Sequence, residues 1–383
     1  MPSAFTTTVE GRTKLLVPAQ SLTSRTPETF PVFFNPAAKL NRDVSVAVAA
    51  VTRPADFLDI LAGVGARGVR IANESGTDTR VTMVDFNRAA LPYASKNAEK
   101  NAVADRCEVL HSEANAYLYS RFDRDEKFGA VDVDPFGSPA PYLQAALVAS
   151  ADGATLSFTA TDAAVLCGVY PAVALRRYGS AAPRSEFVHE TAIRILVAFA
   201  VEMGGINDIG VSPILAHSTL HYFRVFLTVT RGADAADDSR DLLGFVTQCN
   251  ACHCRFSGTA PLSRCPSCDA KVRSAGPLWI GSICDEERVV EAERFCASQG
   301  WKDSRATLSS LAGVRDFPPF SYSLERVASR LKVSSTQVEK VMEVLESSGY
   351  RCVRQPFEDL SIKTDADYGE VERAVREASG KPV

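Results

Sequence analysis

The chain has 383 residues, 46% of them apolar, with 46 acidic against 42 basic side chains and a net charge of -4. That length exceeds what one core usually organises, so two domains are expected; the mild acidity offers no general attraction for nucleic acid. No run of eighteen apolar residues and no basic-then-apolar leader is present, so the expectation is a cytoplasmic protein with no membrane span and no evident obligate protein partner.

Taken in chain order, the first clear strand covers 56–61 and runs into Ala62-Gly63-Val64-Gly65-Ala66-Arg67-Gly68, with a helix beginning near Val69. Glycines there let the backbone approach a ligand, and the helix start offers unpaired N–H groups. The next strand, 80–85, ends on Asp85, where a ribose-binding carboxylate sits in nucleotide-cofactor folds. Nicotinamide and S-adenosylmethionine sites are alike to this point.

Further strands are expected at 107–111, 129–134, 154–161 and 223–230, with helices between them, for example 142–150 and 190–203. Short strand-helix-strand spacing predicts an α/β, Rossmann-like doubly wound sheet with its ligand crevice at the carboxyl ends of the strands.

The strand at 129–134 ends in Asp134-Pro135-Phe136-Gly137. Alone, this is an ordinary Asp-Pro turn. Beside a nucleotide-like cofactor it reads differently. An exocyclic amine of a purine is a weak nucleophile, so an acceptor has to hold its N–H while a methyl group arrives in line. A carboxylate at a strand tip, a stiff proline and an aromatic that lies on a base together suit that chemistry, and hydride transfer has no use for them. Asp162, closing the strand at 154–161, is a second-rank site residue or a loop cap.

An acidic run of small residues at 232–239 predicts a boundary, dividing the chain into 1–235 and a smaller α+β unit at 236–383. Within 245–275, Cys249-x-x-Cys252 and Cys265-x-x-Cys268 have the spacing of a four-thiolate zinc ribbon. Cys254 is either a spare thiol or a substitute ligand. The remaining cysteines, Cys107, Cys167, Cys284, Cys296 and Cys352, read as small buried hydrophobes. Over 320–365, helix 324–331, helix 336–347 and strand 349–354 outline a winged-helix-like module, with Ser334 or Ser335 capping the second helix and Gly349 ending it. Residues after Asp365 form a charged helix. Basic residues collect at Arg176, Arg177 and Arg184, then at Arg326, Arg330, Lys332, Lys340, Arg351 and Arg354, and form either a nucleic-acid patch or solvated faces.

The motifs Pro31-Val32-Phe33-Phe34-Asn35-Pro36, Leu40-Asn41-Arg42-Asp43, Gly65-Ala66-Arg67-Gly68-Val69-Arg70, Asp132-Val133-Asp134-Pro135-Phe136-Gly137-Ser138-Pro139, Thr159-Ala160-Thr161-Asp162 and His221-Tyr222-Phe223-Arg224 resemble those of the tRNA (guanine-26, N2)-dimethyltransferases, class I S-adenosylmethionine-dependent enzymes. The resemblance implies tRNA as partner and S-adenosylmethionine as cofactor. It implies Asp134 as acceptor for the guanine N–H, with Phe33 and Phe136 sandwiching a flipped base. Arg42 and Arg67 would line the cofactor pocket, with Asp85 on the ribose and Glu113 and Ala114 beside the adenine. Position 113 is more often Asp in that family. Zinc would be structural.

Each residue has a plainer reading. Phe33 and Phe34 also suit a core, Arg42 a surface pair and Glu113 a helix start. Two functions from other classes stay open, a nucleic-acid-binding regulator with a degenerate cofactor domain and an N-methyltransferase for another RNA base.

Overall fold

The computed structural model describes residues 5–24, 31–122, 126–219 and 222–380; His221 of the quoted motifs lies outside them. The chain opens with an antiparallel hairpin, β1 (Phe5–Glu10) and β2 (Thr13–Pro18), followed by helix α1 (Lys39–Thr52). The central sheet consists of β3 (Asp56–Asp59), β4 (Arg80–Asp85), β5 (Cys107–His111), β6 (Phe128–Val133), β7 (Ser150–Ala160), β8 (Ile209–Thr219) and β9 (Tyr222–Arg231). Its order is β5-β4-β3-β6-β7-β9-β8. Helices α2 (Ala66–Glu74), α3 (Leu91–Lys100), α4 (Ala114–Tyr119), α5 (Leu143–Ala149), α6 (Ala163–Leu166), α7 (Pro171–Tyr178) and α8 (Val188–Gly205) connect these strands.

The α/β doubly wound fold is as expected, with one correction. Strands β3 to β7 are parallel, but β9 inserts antiparallel between β7 and β8, so the sheet is mixed. Strand β8 had no clear sequence signal, because Pro213 and a register shift between Pro213 and Leu215 interrupt its alternation.

The acidic run also differs from its reading as an uncovered boundary. It forms α9 (Ala233–Asp241), which buries Ala236 and Ser239, and the Ser239 hydroxyl accepts from Val211 N at 2.9 Å. The division expected at 235/236 falls inside this helix. Alanines every few residues supply an apolar stripe, with the aspartates on the other side.

Beyond α9, β10 (Leu243–Gln248), β11 (Arg255–Gly258) and β12 (Ser274–Trp279) form a small antiparallel sheet, the frame of the ribbon. Helices α10 (Glu286–Ser298) and α11 (Lys302–Ser309) then return to the first part of the chain. There the Ser304 hydroxyl donates to Asp43 of α1 at 3.1 Å, and the Trp301 ring lies 5.1 Å from the Arg70 guanidinium.

The last module has β13 (Tyr322–Ser323), α12 (Leu324–Leu331), α13 (Val338–Ser347), β14 (Cys352–Arg354), β15 (Ser361–Thr364) and α14 (Tyr368–Ala378). Two helices and a twisted hairpin match the winged outline, but the second helix starts later than expected. Its N-cap is Gln337 rather than Ser334 or Ser335, because Lys332 turns left-handed (φ 52°) and the Thr336 hydroxyl donates to Ala378 O of α14 at 3.4 Å. Gly349 follows the helix end at φ 87°, as expected. Helix α14 is no solvated tail; it buries Tyr368, Val371, Ala374 and Val375 and is capped by the Asp367 side chain.

This module is fastened to α8 by a sealed ion network. Lys363 is fully buried and donates to both oxygens of Glu190 at 2.6 and 2.8 Å, while Arg194 donates to the same carboxylate at 2.8 Å. No helix among the described residues is long and apolar enough to cross a membrane.

Candidate active site

Strand register assembles the site. Asp59 of β3 lies beside Asp132 of β6, Asp132 beside Ser157 of β7, and Thr159 of β7 opposite Arg224 of β9, a polar row across an otherwise apolar sheet. Asp134 is two residues beyond Asp132 and so emerges on the same face. Helix α2 lays Arg67 across this row. The Arg67 guanidinium bonds Asp134, the Asn41 amide oxygen at 2.7 Å, the Ser45 hydroxyl at 2.5 Å and, through Nε, Asp132 at 3.1 Å. Arg224, fully buried, bonds Asp132 and donates to Thr159 at 3.0 Å and Ser45 at 3.2 Å.

Three carboxylates thus face two guanidiniums, and the imbalance fixes where the charges reside. Burial works to raise the Asp134 carboxyl, but Arg67 and, behind it, Arg224 outweigh it and hold it below the usual carboxylate range. Burial and the adjacent Asp132 push Asp59 up to about 7, against the pull of Arg67. Asp134, whose side chain is 31% exposed, is therefore held ionised at neutral pH.

Asp134 lines a cavity of about 300 Å³ together with the glycine loop, Asp85, Phe33, Phe136 and Arg42. Such a volume is at the small end of ligand sites. Gly63 lines the cavity, while Gly65 takes φ 71° at the start of α2 and lets the loop pack on the core, where a Cβ would meet the Met83 sulfur at 2.7 Å. The Asp85 carboxylate accepts from Gly63 N and Asn87 N, each at 2.7 Å, which aims it along the rim.

The other expected residues fall into two groups. Arg42 lines the cavity, yet it is tied to Glu10 of the hairpin at 2.6 and 2.7 Å and to Asn35 O at 2.9 Å, and it lies on the Phe34 ring. It is a buried pair rather than the surface pair of the plainer reading. Arg67 reaches the cavity wall, but its donors clasp Asp134 and Asp132. Glu113 caps α4, its carboxylate accepting from Ala116 N at 2.7 Å; neither it nor Ala114, which is buried, lines this cavity. The Phe33 and Phe136 rings meet edge to face at 4.7 Å, and Phe136 is 65% exposed.

Sequence reading missed Asn41, Asp59, Thr159, Tyr222 and Arg224 as site residues. An arginine inside the apolar strand Phe223-Arg224-Val225-Phe226 was the one available signal, since a buried cation requires a partner. Asp162 stands outside the cavity. It accepts from the Tyr178 hydroxyl at 2.9 Å and from Arg177 at 2.6 Å, and Tyr178 in turn bonds Ser138 at 2.6 Å. With Thr161 N donating to Gly137 O at 2.8 Å, these bonds anchor the turn after Asp134.

In the ribbon, the sulfurs of Cys249, Cys252, Cys265 and Cys268 lie within 4.8 Å of one another. Tetrahedral Zn–S bonds of about 2.3 Å place sulfurs roughly 3.8 Å apart, close to the 3.6 Å of Cys249–Cys268 and 3.5 Å of Cys252–Cys265. Both knuckles end in a left-handed residue, His253 (φ 61°) and Asp269 (φ 57°), and Ala251 N points at the Cys249 sulfur at 3.4 Å. The donor set fits a zinc ion. Cys254 stands outside the cluster, its carbonyl accepting from Cys249 N. Of the other cysteines, Cys284 and Cys296 are buried, and Cys107, Cys167 and Cys352 are half-buried.

Several of the collected cations prove to be paired: Arg177 with Asp162, Arg330 with Glu186, Arg351 with Asp365, Arg354 with Glu339. The α12–α13 module is therefore less basic than its composition suggests.

A seven-stranded mixed sheet carrying a glycine loop, a ribose-type acid and an acidic Asp-Pro-Phe-Gly corner at its carboxyl end defines a class I methyltransferase domain. A solved structure of Trm1 from Pyrococcus horikoshii with S-adenosyl-L-methionine superposes with a TM-score of 0.84 at 28% identity, covering 96% of this chain and 99% of that one. The tRNA (guanine(26)-N(2))-dimethyltransferase of Methanothermobacter thermautotrophicus is 35% identical over 90% of this chain and 92% of its own length. The enzyme of the same name from Haloarcula marismortui is 34% identical over 95% and 98%. The family model for N2,N2-dimethylguanosine tRNA methyltransferase matches residues 11–376. The chain belongs to that family.

Proposed function

We propose that this protein transfers methyl groups from S-adenosylmethionine to the exocyclic N2 of guanosine 26 in tRNA, giving N2-methyl- and then N2,N2-dimethylguanosine, in the cytoplasm. The observation that carries the reading is a partly exposed carboxylate, Asp134, held ionised by Arg67 on the floor of a cavity shared with the glycine loop. A degenerate cofactor domain would have no reason to retain that constellation.

S-adenosylmethionine, when bound, supplies an electrophilic methyl on a sulfonium. Gly63 and Asp85 would hold it, with Arg42 at the wall. A guanine amine inside a helical stack cannot reach such a site, so the base is flipped out. Phe33 and Phe136 receive it: their rings, now in edge contact, separate to about 7 Å, two aromatic contact distances, to admit a base between them. Asp134 accepts an N–H of the amine and turns its lone pair away from the ring. An ionised carboxylate has about four acceptor positions, so the bond from Arg67 leaves capacity for the substrate. As the N–C bond forms, the methyl's bond to sulfur would break, leaving a neutral thioether, and the amine proton passes to Asp134 or to water. The mono-methylated amine keeps one N–H for a second round at the same carboxylate, and the dimethylated product keeps none and loses this anchor. Zinc held by Cys249, Cys252, Cys265 and Cys268 would serve the ribbon fold.

Incubation of the protein with an unmodified tRNA transcript and methyl-labelled cofactor, followed by nucleoside analysis, tests this. N2-methyl- and N2,N2-dimethylguanosine at position 26 are expected. Label in adenine, or at a guanine of ribosomal RNA instead, would favour methylation of another base, and no label in RNA would reject the enzyme reading.

A further inference from the structure

A cleft more spacious than the methyl-transfer cavity stands apart from it. It lies between α7 and the ribbon, holds about 1000 Å³, and is lined by Arg184, Arg264, Lys271 and Arg273 with no aspartate or glutamate among its lining residues. In a chain of net charge -4 this is a marked local excess of positive charge. A depression at the amino end of the sheet is the contrast, with four acids and four cations among its lining.

Two further features point to an anion. Arg264 and Lys271 face each other across an antiparallel bridge, and like charges directly opposite destabilise a ladder unless something neutralises them. Asp269 meets only Arg264, at 2.8 Å and exposed on the surface. The cleft also continues: a neighbouring cavity of about 460 Å³ shares Arg184, Gln248 and Asn250 with it and extends to Arg326 on α12. The one acid there, Glu186, is buried and already bound to Arg255 at 2.8 Å and to Arg330.

The direction of the cleft matters as much as its charge. Helix α7, which lends Pro171, Ala172 and Leu175 to the cleft, is joined to the turn after Asp134 through Tyr178, Ser138 and Asp162, so one wall of the cleft is tied to the acidic corner. Its lining includes Leu175, 58% accessible, apolar surface beside Arg184, Lys271 and Arg273.

We infer that this cleft is the track for the RNA phosphate backbone, running from the flipped nucleotide across the ribbon toward α12. The inference rests on the function proposed above and gives the ribbon a role beyond metal-held folding: it forms one wall of the track. A-form RNA hides its base edges in a narrow major groove, so a track of this kind reads shape and phosphate.

The test is the salt dependence of binding to the unmodified transcript. Lys271→Gln/Arg273→Gln is expected to weaken binding about tenfold or more and to reduce the slope of log K against log salt by roughly 2, about 0.9 for each phosphate that is no longer neutralised. KM for tRNA rises while kcat, cofactor affinity and bound zinc stay at wild-type values. Lys271→Arg restores binding, and Arg80→Ala, in the charge-balanced depression, changes neither affinity nor slope. A double variant that methylates with wild-type affinity, slope and KM would overturn the track while leaving the function intact. Failure of the wild type itself to bind and methylate tRNA would overturn the function, and the track with it.

Discussion

Two of the ion networks buried among the described residues contrast in one respect. Around Arg67 and Arg224, two carboxylates of three, Asp59 and Asp134, line a cavity and Asp134 is exposed in it; around Glu190, Arg194 and Lys363 every charge is sealed between α8 and the last module. Both pair carboxylates with cations in the interior. A buried pair is weak evidence of function on its own, because sealing two charges roughly offsets their attraction. An acceptor left facing empty space is what separates a reactive site from a fastening. Burial opposes the ionisation of Glu190, but Lys363 and Arg194 hold it down at about 2, with no edge left for a ligand.

Metal removal is expected to give the largest effect on the fastening side. Chelation should unfold the ribbon over 244–272, since zinc binding in such loops contributes on the order of 10 kcal/mol. Proteolysis within that segment after chelation, together with zinc analysis of the untreated protein, checks it; an unchanged cleavage pattern and no zinc would remove the metal from the account.

Lys363→Met is expected to destabilise by about 3 kcal/mol, the lower part of the range for breaking a buried pair, because Arg194 still faces Glu190. Below its melting temperature the variant should transfer methyl groups at the wild-type rate. A slowed rate in fully folded protein would mean that the two networks are coupled.

A pH effect sharpens the other side of the comparison. Asp59, pushed up to about 7, binds a proton in the folded state that it has released in the unfolded one. Its contribution is therefore present below the unfolded value near 4 and is lost as pH rises through 7, up to ~4 kcal/mol. Asp134 has the opposite sign: held below its ordinary value, it contributes above that value and is lost only in acid. Denaturant melts of Asp59→Asn across pH 4 to about 8 should show a flatter profile than the wild type. An identical profile would show that Asp59 is ionised in the native state.

How much of this was legible in the sequence depends on distance along the chain. Asp134-Pro135-Phe136-Gly137, the glycine loop and the two cysteine pairs are contiguous, and each carries its chemistry in its own spacing. Strands at 80–85 and 107–111 were readable because short apolar runs end in clear turn residues. What holds Arg67 on Asp134 was not: Asn41, Ser45 and, through Asp132, Arg224 come from α1 and the sixth strand of the sheet, and only the tertiary arrangement brings them together. The acidic run at 232–239 misled because composition was read without periodicity, and Ser334 and Ser335 because a tertiary bond to α14 delays the helix. Glu113 fits its plain reading as a helix cap, while Arg42 took a third course, pairing in the interior with a strand that the motifs did not include.

The most direct measurement is single-turnover methyl transfer by Asp134→Asn on unmodified tRNA, with cofactor affinity measured in parallel. A rate lower by about 10² to 10⁴, the usual range for a lost acid–base group, with cofactor affinity near wild type, is the predicted result. A variant that transfers at the wild-type rate would contradict the account.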